Sequence, residues 1–341
     1  MKAVVIREHG GPEVLRLEER PLPEPGPGEA RVRVHAVALN HLDLWVRKGV
    51  PGHAFPLPIV PGCDIAGTLD AAGPGVRLRE GDPVLVGPGV SCGTCRDCRA
   101  GRENLCREYG ILGETRDGGC AEYVVVPAQN LFPKPAHLDY PQAAAVPLVF
   151  LTAWHMLLGR AGIRAGETLL VHAAGSGVSS AAIQIARLVG ARVLATASTA
   201  EKCRRARALG AEIAVNHREA DFVQEVRSWT GKRGVDVALD HVGEQTFDRT
   251  VRCLARGGRY VTCGATSGYE MKTDFRLVYF KSLSILGSTM GGSHELAEVL
   301  EHVAAGRLSP TLDRVLPLER VAEAHAHLET RQGFGKTVLV P

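Results

Sequence analysis

From Leu169 to Ala191 the chain reads LLVHAAGSGVSSAAIQIARLVGA. The opening residues are a short apolar run of strand character, and the closing dozen space their apolar side chains as a helix does. A strand that turns through glycines straight into a helix is the setting a phosphate-binding loop requires. Gly175 and Gly177, with Ser176 between them, permit a tight turn and a close approach of backbone to a diphosphate. The helix that opens near Val178 turns its unpaired N–H groups toward the same charge. The last glycine of the G-x-G-x-x-G pattern is missing, and Ser179 and Ser180 stand in its place. Serine is small enough to keep helix and strand close.

Outward from this loop the pattern repeats. ARVLATAS, AEIAVN, VDVALDHV, GRYVTCGA and SLSILGS are apolar segments separated by helical stretches, among them Ala200–Leu209. Strands alternating with helices at this spacing predict βαβ units around a parallel sheet, a doubly wound α/β domain. The second of these strands bears on the cofactor. A site for NAD usually carries Asp or Glu there to hold the ribose 2′-hydroxyl. Here the strand ends Ala197-Ser198-Thr199, with Lys202 one turn into the next helix and Glu201 expected to point outward. His217 and Arg218 follow the next strand. Hydroxyls and cations without a carboxylate suit a 2′-phosphate, so NADP(H) is expected over NAD(H).

Residues 1 to about 135 have another character. Short runs such as Lys2–Ile6, Ala30–Val37 and Ala121–Val126 are punctuated by PLPEPGPGE and REGDPV, the pattern of a β-rich, partly open barrel. Within it Cys92, Cys95, Cys98 and Cys106 are spaced C-x2-C-x2-C-x7-C. Thiolates so spaced reach one tetrahedral ion inside a loop with no core of its own. Four sulfur ligands close the shell, so the spacing predicts one structural zinc. After the α/β segment a helix is expected at His294–Ala305, and the closing strand GKTVLVP is expected to return to the first domain.

The bulk properties set limits. A chain of 341 residues suits two domains. The net charge of +3, with basic residues dispersed, does not favour a nucleic-acid partner. Charges interrupt the apolar run at the N-terminus, and no uncharged apolar stretch of about 18 residues is expected, so neither a signal peptide nor a membrane span is expected. Nine cysteines without a secretion signal, four of them clustered, indicate metal binding in the cytoplasm rather than a disulfide framework.

Together these features resemble the medium-chain dehydrogenase/reductase superfamily, in its zinc-containing alcohol dehydrogenase and quinone oxidoreductase branches. The cysteine lobe (91–107) resembles that family's structural zinc loop. G-C-D-x-x-G-x5-G-x-x-V, from Gly62 to Val76, is similar to its zinc-enzyme signature, which normally begins Gly-His-Glu. GETLLVHAAGSGV resembles the cofactor loop of the quinone oxidoreductase branch. The resemblance implies a GroES-like catalytic domain over 1–150 and 289–341, a Rossmann domain over 151–288, and a substrate cleft between them. It implies nicotinamide contacts from Thr152, Val242, Cys263, Gly264, Ala265, Leu286, Gly287 and Ser288. It also implies a homodimer, with a tetramer as the alternative, built on the edge strand in VYFKSLSILGS.

The departures from the family pattern decide the expected chemistry. Asn40 stands where the catalytic zinc's cysteine is usual, and Leu42 where the proton-relay hydroxyl is usual. Cys63-Asp64 replaces His-Glu, and Leu148 replaces the remaining cysteine. A catalytic zinc is therefore not expected. Cys63 reads as a packing residue, and Asp64 either acts as a base or fixes backbone or an arginine. Asp43 either donates protons or orients the fold, and Trp45 either walls the substrate or joins the core. His53, His137, His294, His325 and His327 read as surface or helix residues without acidic partners. The reaction expected is reduction of a quinone or an α,β-unsaturated carbonyl by hydride transfer, with hydrogen bonds from Asn40 or His41 to the acceptor. The rival readings are an alcohol dehydrogenase or aldehyde reductase with an unconventional zinc on Cys63 and Asp64, and a non-catalytic NADPH-binding sensor.

Overall fold

The computed structural model describes residues 1–76 and 79–341. The chain divides into two compact units, Met1–Leu148 with Gly291–Pro341, and Val149–Met290.

The first unit is organised on one long strand, β1 (Glu29–Ala38), along which Ala30, Val32, Val34 and Ala36 turn into the core. Its chain bends at Asn40 into the helix α1 (His41–Lys48). It later returns as β2 (Asp64–Ala72), antiparallel to β1, with Asp64 opposite Ala38. β2 pairs in turn with β3 (Pro83–Val86). β4 (Tyr123–Pro127) also pairs with β1, and β5 (Leu131–Pro133) with β3. Two glycines let β1 and β2 close on each other. Gly62 has φ +98, a conformation that favours glycine, and a Cβ on Gly67 would stand 2.0 Å from the Arg33 carbonyl oxygen.

The helix α2 (Pro147–Trp154) carries the chain from one unit to the other. It lies within Tyr140–Arg160, a 21-residue helical stretch apolar enough to cross a membrane by composition. This corrects the expectation that no such stretch exists: Pro141, Gln142, Pro147 and His155 break up its apolar run in the sequence. The helix packs inside the fold, with 72% of its most apolar window buried, as a core helix does.

In the second unit β6 (Thr168–Val171) leads through the glycine loop into α3 (Gly177–Leu188). There follow β7 (Arg192–Ala197), α4 (Ala200–Leu209), β8 (Ile213–Asn216), β9 (Val235–Leu239), α5 (Phe247–Cys253), β10 (Leu254–Thr262) and β11 (Ser284–Gly287). All neighbouring strands are parallel, in the order β8-β7-β6-β9-β10-β11. Leu170, Leu194, Val237 and Ala238 are fully buried, as strands covered on both faces require. The order reverses between β6 and β9, which is the topological switch point where such sheets take ligands.

The chain then re-enters the first unit. α6 (Ser293–Ala304) is followed by β12 (Leu312–Pro317), α7 (Val321–Thr330) and β13 (Lys336–Val340). β13 is parallel to β12 and antiparallel to β1, with Val338 opposite Ala38. That register completes a seven-stranded mixed sheet and sets Lys336 across from Asn40.

The close approach at Gly67 generates a test. A methyl group there meets backbone rather than a movable side chain. Gly67→Ala is expected to lower stability by about 3 kcal/mol, the upper end for overpacking. Chemical denaturation checks this; a change under about 0.5 kcal/mol would mean the two strands separate freely.

Candidate functional site

The glycine loop is held by its own hydroxyls. Ala173 turns the chain with φ 51, and Ser176 caps α3, accepting from the Ser179 N–H at 3.1 Å. Ser179 and Ser180, in the place of the missing glycine, are 0% and 3% exposed. Ser179 Oγ donates to the His172 carbonyl at 2.6 Å, and Ser180 Oγ to that of Gly177 at 2.9 Å. The first N–H groups of a helix have no acceptor within it. Those of Gly177 and Val178 are therefore directed off the end of α3.

The remaining residues expected to meet the cofactor lie after the carboxyl ends of the other strands. Ser198 follows β7, where Thr199 is occupied as the cap of α4, accepting from the Lys202 N–H at 3.2 Å. Lys202 itself is only 9% exposed, so its stem is part of the packing of α4 rather than a free cationic arm. Glu201 is exposed and paired with Arg204. His217 and Arg218 are exposed just past β8. Val242 follows β9, its N–H donating to Asp240 at 2.8 Å. Cys263, Gly264 and Ala265 follow β10. Leu286 and Gly287 end β11, and the Ser288 N–H donates to the Thr262 carbonyl at 2.8 Å. Thr152, buried on α2, faces the Met290 sulfur at 3.9 Å. The donor set fits a dinucleotide: a helix N-terminus for its diphosphate, and a buried Ser288 Oγ with no partner among the described residues for a polar group beside β11.

The first unit gathers a second polar centre. β2 sets Cys63 and Asp64, both 0% exposed, against the bend at Asn40. Asp64 Oδ1 accepts from the Leu148 N–H at 2.7 Å. Asp64 Oδ2 accepts from Asn40 Nδ2 and from the Lys336 ammonium, each at 2.9 Å. Lys336, 4% exposed, also donates to Asn40 Oδ1. Asn40 Nδ2 faces the Cys63 sulfur at 3.4 Å as well. The Cys63 thiol is pushed well up, by burial first and then by Asp64, so it is not a thiolate.

Asp64 thus holds one backbone N–H, the Asn40 amide and the Lys336 ammonium. Asn40, expected to polarise a substrate, has its carbonyl on Lys336 and its amide on Asp64 and Cys63. Asp43 accepts from the N–H groups of Asn40 at 2.6 Å and Gly62 at 2.9 Å, tying the start of α1 to the turn before β2. Burial outweighs those two bonds and raises its pKa to about 6. His41 and Trp45 are half-buried on α1. The donor set does not fit a catalytic zinc: the Lys336 ammonium already occupies Asp64 and Asn40, and an amide and a leucine stand where two further ligands would be needed. Sequence reasoning missed Lys336; the one available signal was a lysine opening an otherwise apolar terminal strand.

The four thiols of the lobe do fit a metal. Cys92, Cys95, Cys98 and Cys106 bring their sulfurs within 4.8 Å of one another, the one such group of potential ligands among the described residues. The Cys95–Cys98 and Cys92–Cys106 separations are 3.5 Å, and Cys92–Cys98 is 3.9 Å. Four sulfurs about 2.3 Å from a tetrahedral zinc stand about 3.8 Å apart. Backbone N–H groups of Thr94 and Cys95 bring Cys92 down to about 6. Against the lowering effect of the Cys92 and Glu108 backbone, burial and the thiol contacts with Cys92 and Cys98 together take Cys106 up to about 11.

Of the remaining histidines, three depart from expectation: His53 stands 3.9 Å from the Glu114 carboxylate, and the other two lie on α7. His325 is fully buried on α7 beside Arg47, and burial lowers its pKa to about 3. His327 has an acidic partner that sequence spacing concealed, Asp313 at 2.7 Å.

Comparison with known proteins follows these features. Residues 26–136 match the alcohol dehydrogenase GroES-like domain, and residues 177–305 the zinc-binding dehydrogenase family. The chain is 31% identical to a quinone oxidoreductase of Homo sapiens over 350 residues, covering 100% of this chain and 98% of that one. It is also 31% identical to an NAD-dependent alcohol dehydrogenase of Sulfurisphaera tokodaii, with 100% of both chains covered. Among solved structures, one described as an NAD-dependent alcohol dehydrogenase is 53% identical, with a TM-score of 0.97 and both chains covered in full.

The buried ion pair generates a test. Lys336→Met leaves Asp64 charged and unpaired, and is expected to cost about 3–5 kcal/mol in denaturant titration. Lys336→Met with Asp64→Asn removes both charges and is expected to recover part of that loss. A single variant as stable as the parent would show that the pair does not hold this centre.

Proposed function

The chain belongs to the medium-chain, zinc-binding dehydrogenase family of NAD(P)-dependent oxidoreductases, and on that premise we propose that it reduces quinones or α,β-unsaturated carbonyls with NADPH, without a catalytic metal. The observation that carries this reading is the Lys336 ammonium seated among Asn40, Cys63 and Asp64. Reduction of a simple carbonyl develops charge on one oxygen and needs a strong electrophile there, usually a metal. An enone or a quinone spreads that charge to a remote oxygen, where a hydrogen bond and a solvent proton suffice. When bound, the dihydronicotinamide supplies the hydride. The chain supplies position: Gly175–Val178 for the diphosphate, and Thr152, Val242, Cys263–Ala265 and Leu286–Ser288 for the nicotinamide end. His41 and Trp45, half-buried on α1, are assigned to the acceptor.

Preference for NADPH rests on the end of β7, where Ser198 stands and no carboxylate does, and on the exposed His217 and Arg218 past β8. The cysteine lobe takes a structural zinc. β11 ends its sheet with Ile285 45% exposed, and Phe275, Tyr279 and Phe280 are exposed just before it; a second copy pairing there gives a dimer. A second reading, oxidation of alcohols with NAD, has its support in the alcohol dehydrogenase names of the relatives.

Elemental analysis of protein purified without added metal is expected to find about one zinc per chain, all of it in the lobe. NADPH oxidation by a benzoquinone or an enone is then expected to survive brief chelation. About two zinc per chain, with chelator-sensitive oxidation of alcohols by NAD, would overturn the proposal in favour of the second reading. For the cofactor, Arg218→Ala is expected to raise the NADPH dissociation constant about tenfold and leave that of NADH unchanged. Equal effects on both would sink the 2′-phosphate assignment.

A further inference from the structure

We infer that His241 is a positioning residue for the diphosphate of the bound dinucleotide, acting through the hydroxyls of Ser176 and Ser179. The inference rests on the reading that the glycine loop binds that cofactor, and deepens it. His241 lies two residues past β9, and Ser176 five residues past β6. The two strands are neighbours at the point where the sheet order reverses. His241 Nε2 is 2.9 Å from Ser176 Oγ and 2.9 Å from Ser179 Oγ, so one ring nitrogen spans the two strand ends.

Proton counting assigns the direction of these bonds. A serine hydroxyl has one proton and two lone pairs. The Ser179 proton goes to the His172 carbonyl at 2.6 Å, so Ser179 can only accept from His241. His241 therefore carries its proton on Nε2 and shares it between the two oxygens. Ser176 Oγ also accepts from the Ser179 N–H at 3.1 Å. With its acceptor positions filled, Ser176 keeps its own proton to donate. Inside the cluster that proton finds only Ser179 Oγ, at a long 3.3 Å. A phosphate oxygen at the N-terminus of α3 is a stronger acceptor for it.

The support beneath is built by the same logic. The Thr250 hydroxyl donates to the Thr246 carbonyl at 2.7 Å, so His172 must donate from Nε2 to Thr250 at 2.8 Å. His172 Nδ1 then accepts from Thr196 at 3.1 Å. This neutral, fully buried ring holds the carbonyl on which Ser179 rests. Nothing in the chain so described needs His241 for folding the turn itself, because Ser176 caps α3 without it. What His241 adds is the orientation of the Ser176 hydroxyl.

The test is equilibrium binding of NADPH, by its fluorescence, and of ADP-ribose, which keeps the diphosphate but lacks the nicotinamide. His241→Leu and Ser176→Ala are each expected to weaken both ligands about tenfold, equivalent to about 1.4 kcal/mol. Combining them is expected to weaken binding no further, since both remove one hydroxyl's aim. His241→Gln, whose Nε2 can donate from a similar reach, is expected to bind within about threefold of the parent. Thermal midpoints of all variants separate misfolding from lost aim. If His241→Leu folds and binds both ligands like the parent, or if His241→Gln is as weak as His241→Leu, the positioning role is overturned while the cofactor reading stands. If the parent binds neither ligand, both fall together.

Discussion

The register of β1 against its two neighbours is the constraint on which the first unit depends. β2 and β13 both run antiparallel to β1 and meet it at the same residue, Ala38. That coincidence places Asp64 on one side of the Asn40 bend and Lys336 on the other, more than 270 positions apart in sequence. Once there, neither charge can remain alone. A buried carboxylate or ammonium is tolerated only when it is paired and its other hydrogen-bonding positions are filled, and both conditions are met. The Leu148 N–H and the Asn40 amide complete the shell of Asp64. The start of α1, the start of β2 and the start of α2 are thus tied to one charge pair.

The same unit contains a second way of stabilising a group of polar side chains. In the cysteine lobe four thiols converge in a segment with little core of its own. Backbone N–H groups already point at Cys92 and Cys106. Sulfur so arranged calls for a cation from outside. At Asn40, Cys63 and Asp64 the cation is part of the chain. The two centres differ in chemistry because of what surrounds them. The thiols gather as soft ligands around one point, whereas at Asp64 an ammonium already holds the carboxylate.

In the second unit the governing feature is the reversal of strand order between β6 and β9. Loops leaving these strands diverge, which opens a crevice at their carboxyl ends. Hydroxyls and imidazoles from both loops close around its base: Ser176 and Ser179 from one, His241 from the other, with His172 underneath. A set of hydroxyls and imidazoles suits a phosphate site better than a fixed carboxylate would, since it adds orientation without repulsion.

Periodicity and punctuation were enough to read the two kinds of domain, the βαβ series and the glycine loop, because those signals are local. Convergence of the four cysteines is legible for the same reason: a ligand spacing of two and seven residues leaves the chain few ways to part them. The replacement of the metal-ligand residues at Asn40, Cys63 and Leu148 is also plain in the sequence. What stands in their place is not. Lys336 opens an apolar strand at the far end of the chain, and only strand pairing brings it to Asp64. His327 finds Asp313 and His241 finds Ser176 in the same way, through contacts between elements whose separation no local pattern encodes. Local sequence determined which groups were present and which elements carry them. Tertiary structure decided which of those groups neutralise each other, because pairing depends on sheet register and burial, and both are properties of the whole fold.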